Sequence, residues 1–215
     1  MIASVYGHIE LVKLFIEVRA NIHLKSNSGW SALMIASNKG HIKIVKCLLE
    51  GRSDVDLQAD DGTCALMIAS QKNYVETAKV LINYGANVNI QNSDGVSALM
   101  FASNKGHVTM TQILLENEGD VNMQANNGLS ALQCACQNGF YDVVKLLLTN
   151  FGVQSKHVKT ALMIVSHNGH TEIAKLLLEH GANVNAQDEN GWTALMLVRK
   201  DIQRSPKSYY NTRQM

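Results

Sequence analysis

The sequence repeats itself with a period of about 33 residues, and this period restricts the fold more than any other feature of the chain. A segment close to Ser/Thr-Ala-Leu-Met recurs six times, with its alanine at Ala32, Ala65, Ala98, Ala131, Ala161 and Ala194. The intervals between successive alanines are equal, except that the one from Ala131 to Ala161 is shorter by three. A fixed period of this length is typical of a solenoid, in which each unit buries its apolar face only against its neighbours.

The sequence of each unit predicts two helices and a loop. A polar turn that contains a glycine comes first, and the Ser or Thr after it is suited to cap the first helix through its hydroxyl. A second turn, usually Gly-His as at Gly169-His170, leads into an amphipathic stretch such as residues 172–178. A glycine such as Gly181 follows where this second helix should end. An extended segment then leads to the next turn.

These features resemble the ankyrin repeat, and the match is clearest over residues 169–185. The resemblance runs from Met1 to about Val198 and implies an all-α solenoid of stacked helix–turn–helix units with projecting β-hairpin-like loops. We expect six units, a partial seventh and a polar C-terminal tail, with bounds of about 1–25, 26–58, 59–91, 92–124, 125–154, 155–187, 188–198 and 199–215.

The chain departs from the family pattern at the start of the first helices. The family's Thr-Pro-Leu-His becomes Ser/Thr-Ala-Leu-Met, with alanine in place of proline and Met or Gln in place of histidine in all six copies. We therefore expect the stability to depend more on Leu and Met packing than in a consensus array. Cys64 stands at the helix-capping position, in place of Ser or Thr. Since Cys64 lacks a hydroxyl, its helix should have the weakest start, by roughly 1 kcal/mol.

Two irregularities interrupt the repeat. The first unit lacks its loop and half of its first helix, so we expect the chain to be part of a longer array or the product of a truncated gene model. The fifth unit is three residues short, and residues 151–159 replace the usual loop and its glycine. This shortening is either a tolerated loop deletion or a local binding feature built from Lys156, His157 and Lys159.

Composition argues against several classes of protein. The 19 Lys and Arg residues nearly balance the 18 Asp and Glu residues, giving a net charge of +1, whereas nucleic-acid binders usually carry a large positive excess. No run of about 18 apolar residues predicts a membrane span. The four cysteines are too few and too irregular for a disulfide framework. With no visible secretory signal, we expect a cytoplasmic protein.

No motif predicts catalysis, a cofactor or a metal site, so we do not expect an enzyme. Four histidines recur at equivalent positions, namely His8, His41, His107 and His170. Each opens the second helix of a separate unit without an acidic or cysteine partner at ligand spacing, which favours a structural role. Cys134 and Cys136 are two residues apart on a predicted helix, so their side chains should point in different directions.

Candidate partner-binding residues lie on the loops and at the ends of the first helices, where the resemblance implies that ankyrin proteins bind their partners. Three successive units place a lysine at the same position, each after a polar side chain, as the pairs Asn38-Lys39, Gln71-Lys72 and Asn104-Lys105. They form either a positive row or ordinary solvated helix ends. The residues after the turn glycines, Trp30, Val96, Leu129 and Trp192, either project towards a partner or pack between loops. Acidic residues at the loop tips include Asp60, Asp61 and Asp94.

The function expected from these residues is a protein–protein interaction module, an adaptor or scaffold that binds another protein, as a monomer or with end-to-end association. The alternative is a cytosolic regulatory segment of a larger signalling, channel or ubiquitin-ligase protein. The resemblance also implies a modification site. Asn89, Asn122 and Asn185 match the loop asparagine that intracellular asparaginyl hydroxylases modify in ankyrin repeats.

Overall fold

The computed structural model describes residues 1–150 and 152–198. This part of the chain is a row of helices joined by tight turns. In chain order they are α1 (Ile2–Val5), α2 (Ile9–Glu17), α3 (Ala32–Lys39), α4 (Ile42–Glu50), α5 (Ala65–Gln71), α6 (Val75–Asn83), α7 (Ala98–Asn104), α8 (Val108–Glu116), α9 (Ala131–Asn138), α10 (Tyr141–Asn150), α11 (Ser155–Asn168), α12 (Thr171–Glu179) and α13 (Ala194–Leu197). The odd-numbered helices are the first helices of the units and the even-numbered helices are the second.

Between units the chain forms hairpin-like loops, here called fingers, at residues 25–31, 58–64, 91–97, 124–130 and 187–193. Every finger is closed by the same backbone hydrogen bond between residues four apart, as from the Asn92 nitrogen to the Val96 carbonyl at 3.1 Å. In the described ranges the β structure consists of isolated antiparallel bridges, Gln91 with Ser97 and Gln187 with Thr193. The projecting β-hairpin-like loops expected from the sequence are therefore present.

The core runs along the stack as one continuous cluster. Buried Leu and Met side chains recur at equivalent positions of successive first helices, namely Leu33, Met34, Leu66, Met67, Leu99 and Met100. On the second helices the buried leucines Leu48, Leu81, Leu114 and Leu147 do the same. Each unit thus contributes one layer of apolar side chains, and neighbouring layers cover each other.

The starts of the first helices differ in how they are capped. The Ser31 hydroxyl accepts a hydrogen bond from the Met34 nitrogen at 3.2 Å. Cys64 stands at the same position of α5, and its side chain makes no capping hydrogen bond. The missing bond is the reason to expect a weak helix start in the third unit, and this expectation stays a prediction.

The sixth unit departs from the predicted helix start. Thr160 occupies the position of the capping residues of other units, but α11 already begins at Ser155, and the Thr160 hydroxyl donates to the Lys156 carbonyl inside that helix at 3.1 Å. Thr160 therefore does not cap this helix. The short fifth unit has lost the turn glycine that would hold the chain in a finger, so the backbone continues into a helix of 14 residues.

No helix within residues 1–150 and 152–198 is both long enough and apolar enough to cross a membrane.

Candidate protein-binding face

The first helices and the fingers line the inner, concave side of the stack. Neighbouring first helices such as α7 and α9 lie against each other more closely than neighbouring second helices such as α6 and α8. Small, fully buried side chains permit this close approach, and they are Ala36, Ser37, Ala69, Ser70, Ala102 and Ser103. Because the first helices are closer together, the stack curves towards them. We call the surface formed by the first helices and fingers the inner face.

The three lysines form a row on the inner face. Lys39 is the last residue of α3, and Lys72 and Lys105 follow α5 and α7 directly. All three side chains are exposed. The salt bridges in the described part of the chain lie on second helices and join Lys13 with Glu10, Lys79 with Glu76 and Lys175 with Glu172. Within those same ranges, no carboxylate forms a salt bridge with the lysine row.

The polar residues beside the lysines are half-buried and partly engaged. The Asn104 side-chain oxygen accepts a hydrogen bond from the Asn138 amide of the next unit at 2.9 Å. The carbonyl of Gln71 accepts a hydrogen bond from the His107 ring at 3.3 Å. Asn38 is also half-buried. Asn104 and Gln71 therefore connect neighbouring units, and all three residues present only part of their surface to a partner.

The recurring histidines connect successive units through their Nε2 atoms. The His41 ring donates to the Val5 carbonyl at 3.3 Å, and the His170 ring donates to the Gln137 carbonyl at 3.4 Å. The His107 bond has the same form, whereas the His8 ring stacks on Tyr6. These contacts agree with the structural role predicted for the histidines.

Neighbouring fingers are joined by a ladder of hydrogen bonds. The Ser93 nitrogen donates to the Asp61 carbonyl at 2.9 Å, and the Asn126 nitrogen donates to the Asp94 carbonyl at 2.8 Å. The Gln91 side-chain amide also reaches the next finger and donates to the Gln124 carbonyl at 2.9 Å. The ladder therefore holds the finger tips in a fixed row before any partner binds.

The ladder presents the acidic tips of the fingers. Asp60, Asp61 and Asp94 are all exposed, as predicted. Their carboxylates lie at the rim of the inner face, whereas the lysine row lies at the ends of the first helices. A partner would therefore meet two strips of opposite charge.

The residues after the turn glycines divide into two groups. Trp30 and Trp192 are half-buried, and Trp30 packs against the core. Val96 and Leu129 are only 2% and 7% exposed, so of the two alternatives they take the second: they pack inside and do not project towards a partner. Both belong to the core cluster, because the smaller aliphatic side chains fit between the fingers and the helices while part of each tryptophan stays outside.

The short fifth unit places its three candidate residues differently. Lys156 is exposed, and its ammonium group lies 3.5 Å from the Gln124 side-chain oxygen. Lys159 is half-buried, whereas His157 is only 1% exposed. Burial lowers the pKa of His157, and the charge of Lys156 lowers it further. The prediction that His157 forms part of a binding surface was wrong, because the early start of α11 carries this side chain into the interior.

The loop asparagines bridge successive units. The Asn89 amide donates to the Glu118 carbonyl at 2.9 Å, and its oxygen accepts a hydrogen bond from the Asp120 nitrogen at 2.7 Å. Asn122 makes the equivalent pair with Gly152 and Gln154. Sequence reasoning missed this bridge, although the regular recurrence of Val-Asn-x-Gln signals it. Asn185, in the last complete unit, is exposed.

Asp56 occupies the equivalent position one unit earlier and lacks an amide. Its carboxylate accepts a hydrogen bond from the Asn87 nitrogen at 3.0 Å but has no hydrogen to donate to the Gly85 carbonyl, the counterpart of Glu118. Burial raises the pKa of Asp56, and the charge of Asp54 raises it further. A carboxyl group whose folded pKa is raised stabilises the fold below its unfolded pKa, and this contribution is lost as the pH rises through the folded value.

Asp56→Asn should therefore raise the free energy of unfolding at pH 7 by about 1 kcal/mol, because the amide can form both bonds of the bridge. The gain should shrink as the pH falls through the raised folded pKa of Asp56, because the protonated carboxyl group then has a hydrogen to donate. Urea denaturation at several pH values measures both effects. Asn89→Asp is the matched control and should lower stability at pH 7; a loss of stability in Asp56→Asn would contradict the bridge.

Cys134 and Cys136 are held inside the stack as thiols. Burial raises the pKa of Cys134 to about 12 and also raises the pKa of Cys136, so both remain protonated at neutral pH. The side chains of these cysteines are buried. Among the residues that the structure describes, no group of three or more His, Cys, Asp or Glu side chains is arranged to hold a metal ion.

Comparisons with known proteins agree with this architecture. The chain is similar to the crystal structure of the human ASB11 ankyrin repeat domain, with a TM-score of 0.81 and 27% sequence identity, over 96% of this chain and 91% of that chain. A family model described as "Ankyrin repeats (3 copies)" matches residues 1–92, 85–158 and 149–200. The chain therefore belongs to the ankyrin repeat family, and the fold class predicted from the sequence is confirmed.

One curated relative is much longer than the matched region. A segment of 43 residues is 51% identical to the protein fem-1 homolog A-like of Mus musculus. That segment covers 20% of this chain and only 7% of the relative. Ankyrin repeats are protein–protein interaction modules, so the family places this chain among proteins that bind other proteins.

Proposed function

We propose that this protein is an adaptor or scaffold that binds a partner protein on its inner face. The observation that carries the proposal is the row formed by Lys39, Lys72 and Lys105, which is exposed and has no salt bridge within residues 1–150 and 152–198. Some lysines on the second helices form salt bridges with glutamates, whereas the three lysines of the row leave their charge available to a partner. An acidic surface of a partner would supply the missing counter-charges.

The rigid arrangement of the inner face supports tight binding. The finger ladder holds the tips in place, so little conformational entropy would be lost when a partner binds. The acidic tips and the lysine row require a partner with a matching order of charges, and such complementarity mainly gives specificity and a faster association rate. Trp30 provides a half-buried aromatic surface at the edge of the row, and aromatic residues of this kind are often anchors in interfaces.

Charge reversal on the inner face, compared with charge reversal on the second helices, tests the proposal. After a pull-down identifies a partner, the affinity of the purified pair is measured for Lys39→Glu/Lys72→Glu/Lys105→Glu. We expect the Kd to rise about tenfold or more, equivalent to about 1.4 kcal/mol.

The matched control carries Lys43→Glu, Lys46→Glu and Lys145→Glu, three exposed lysines of second helices outside the salt bridges of the described ranges. This variant has the same change in net charge and should bind nearly as well as the wild type. Equal loss in both variants would indicate a nonspecific charge effect, and no loss in either would contradict binding at the inner face.

A second candidate function is a cytosolic regulatory segment of a larger signalling, channel or ubiquitin-ligase protein. It is supported by the match to fem-1 homolog A-like, in which a similar repeat segment occupies a small part of a much longer chain. The inner face would have the same task in this case, but the bound partner would regulate another domain. The cytoplasmic location expected from the sequence applies to both candidates.

Asparagine hydroxylation is the modification that we propose for the loops. Asn185 is exposed, whereas the side chains of Asn89 and Asn122 are held by the bridges between units. We therefore expect an intracellular asparaginyl hydroxylase to modify Asn185 to the greatest extent, because the other two loops must open first. Mass spectrometry of protein purified from cells should show an added oxygen there; no added oxygen at any of the three asparagines would contradict this proposal.

A further inference from the structure

The finger ladder is interrupted in the sixth unit, which has no finger. The chain passes from residues 152–154 directly into α11, and the space between finger 124–130 and finger 187–193 is here called the notch. A β-carbon built on Gly95 would lie 2.8 Å from the backbone nitrogen of Asn126 in the next finger. The equivalent β-carbon on Gly128, which faces the notch, would have nothing within 4 Å. The notch is therefore open where another finger would otherwise lie.

Finger 124–130 forms one wall of the notch, here called the near wall, and finger 187–193 forms the opposite wall. Both walls carry backbone groups whose counterparts in other fingers are hydrogen-bonded. The Asp61 and Asp94 carbonyls accept hydrogen bonds from the next finger, but the equivalent Asn127 carbonyl has no donor among the described residues. On the opposite wall, Glu189 is the counterpart of Ser93 and Asn126. Its backbone nitrogen has no acceptor within the same ranges. One wall thus offers an acceptor and the other a donor.

Gln124, the glutamine of the near wall, also donates fewer hydrogen bonds than its counterparts in other fingers. The Gln58 amide donates both to the Gly62 carbonyl of its own finger at 2.7 Å and to the Gln91 carbonyl of the next finger at 3.2 Å. The Gln124 amide makes the first kind of bond, to the Gly128 carbonyl at 2.7 Å. It has no counterpart of the second bond among the residues that the structure describes.

The charge around the notch differs from that around the other fingers. The near wall carries the neutral Asn126 and Asn127 where other tips carry aspartates. Lys156 lies beside this wall, and Lys159 follows on α11. No acidic residue occurs in the first turn of α11, although a helix N-terminus favours negative charge. The opposite wall carries the carboxylates of Asp188 and Glu189, so the acidic side chains of a ligand would face Lys156, Lys159 and the start of α11, which would stabilise them.

We propose that the notch binds an acidic, turn-forming loop of a partner protein, which takes the place of the missing finger. Its backbone would donate to the Asn127 carbonyl and accept from the Glu189 nitrogen, as added strands do at open sheet edges. The proposal rests on the proposed function as a protein-binding module but uses a surface separate from the lysine row. The chain's own residues 199–215 fit the notch less well, because they contain five basic residues and one acidic residue.

A finger supplied as a peptide tests this inference. The probe is a cyclic peptide with the sequence of residues 58–64, with Cys64→Ser, which contains two aspartates. It is titrated to millimolar concentration into the complete ¹⁵N-labelled chain and followed by NMR. We expect shifts of the amide signals of Gly128 and Glu189, together with slower hydrogen exchange at Glu189.

Two variants identify the surface that binds the peptide. Lys156→Glu/Lys159→Glu should weaken binding by about fivefold, because the charge pairs made by the exposed Lys156 and the half-buried Lys159 are lost. Lys39→Glu/Lys72→Glu/Lys105→Glu should bind the peptide unchanged, so failure of the notch and failure of the inner-face proposal are distinguishable. Absence of shifts at the notch, shifts at the lysine row instead, or a Glu189 amide already protected in the free chain would overturn the inference.

Discussion

Leu114→Ala should lower the free energy of unfolding by about 3 kcal/mol, which is the loss expected when a buried leucine leaves a cavity. Leu114 lies in α8 and is 0% exposed, because the neighbouring units cover it on both sides. Urea denaturation followed by circular dichroism measures the loss.

Phe15→Ala is the matched control, because Phe15 stands at the equivalent position three periods earlier. Its side chain is 48% exposed. We expect this larger truncation to cost less than about 1 kcal/mol. Equal losses for the two variants would contradict a stack in which units are stabilised by their neighbours.

Gly95→Ala should have the second-largest effect, a loss of about 3 kcal/mol from two causes that add together. The φ angle of Gly95 is +74°, and an alanine in this left-handed region costs about 1–2 kcal/mol. The new methyl group would also collide with the backbone of Asn126, and overpacking of this kind costs about 1–3 kcal/mol. Thermal and urea unfolding both measure the loss.

Gly128→Ala separates these two causes. Gly128 has a φ angle of +79°, so the backbone strain is the same, but the methyl group would enter the open notch. We expect a loss of about 1–2 kcal/mol from the strain alone. Equal losses for the two variants would show that contact between fingers contributes little.

The fold could be predicted from the sequence because every unit repeats the same pattern of turn residues and apolar positions. The glycine turns and the Leu and Met positions recur at fixed spacing, so the helix bounds predicted for one unit can be checked against those of the others. The start of α11 is the exception. Thr160 resembles the other capping residues, and only the loss of the preceding turn glycine indicates that the helix begins earlier.

The surface was harder to predict than the fold. Val96, Leu129 and Trp30 share one position after the turn glycine, yet only the tryptophan retains an accessible part. Side-chain size and the packing of the next finger decide the exposure, and neither follows from the position alone. The burial of His157 likewise depends on the early start of α11. The finger ladder had a signal in the sequence, because its glutamines recur once in each period, at Gln58, Gln91 and Gln124.

The most direct test of the central claim is lysine footprinting of the chain alone and with its bound partner. Acetylation rates are measured by mass spectrometry at the lysine row and at Lys43, Lys46 and Lys145 on the second helices. Binding at the inner face predicts slower acetylation of Lys39, Lys72 and Lys105, with unchanged rates at the second helices. Protection of the second-helix lysines while the lysine row stays reactive would contradict this account.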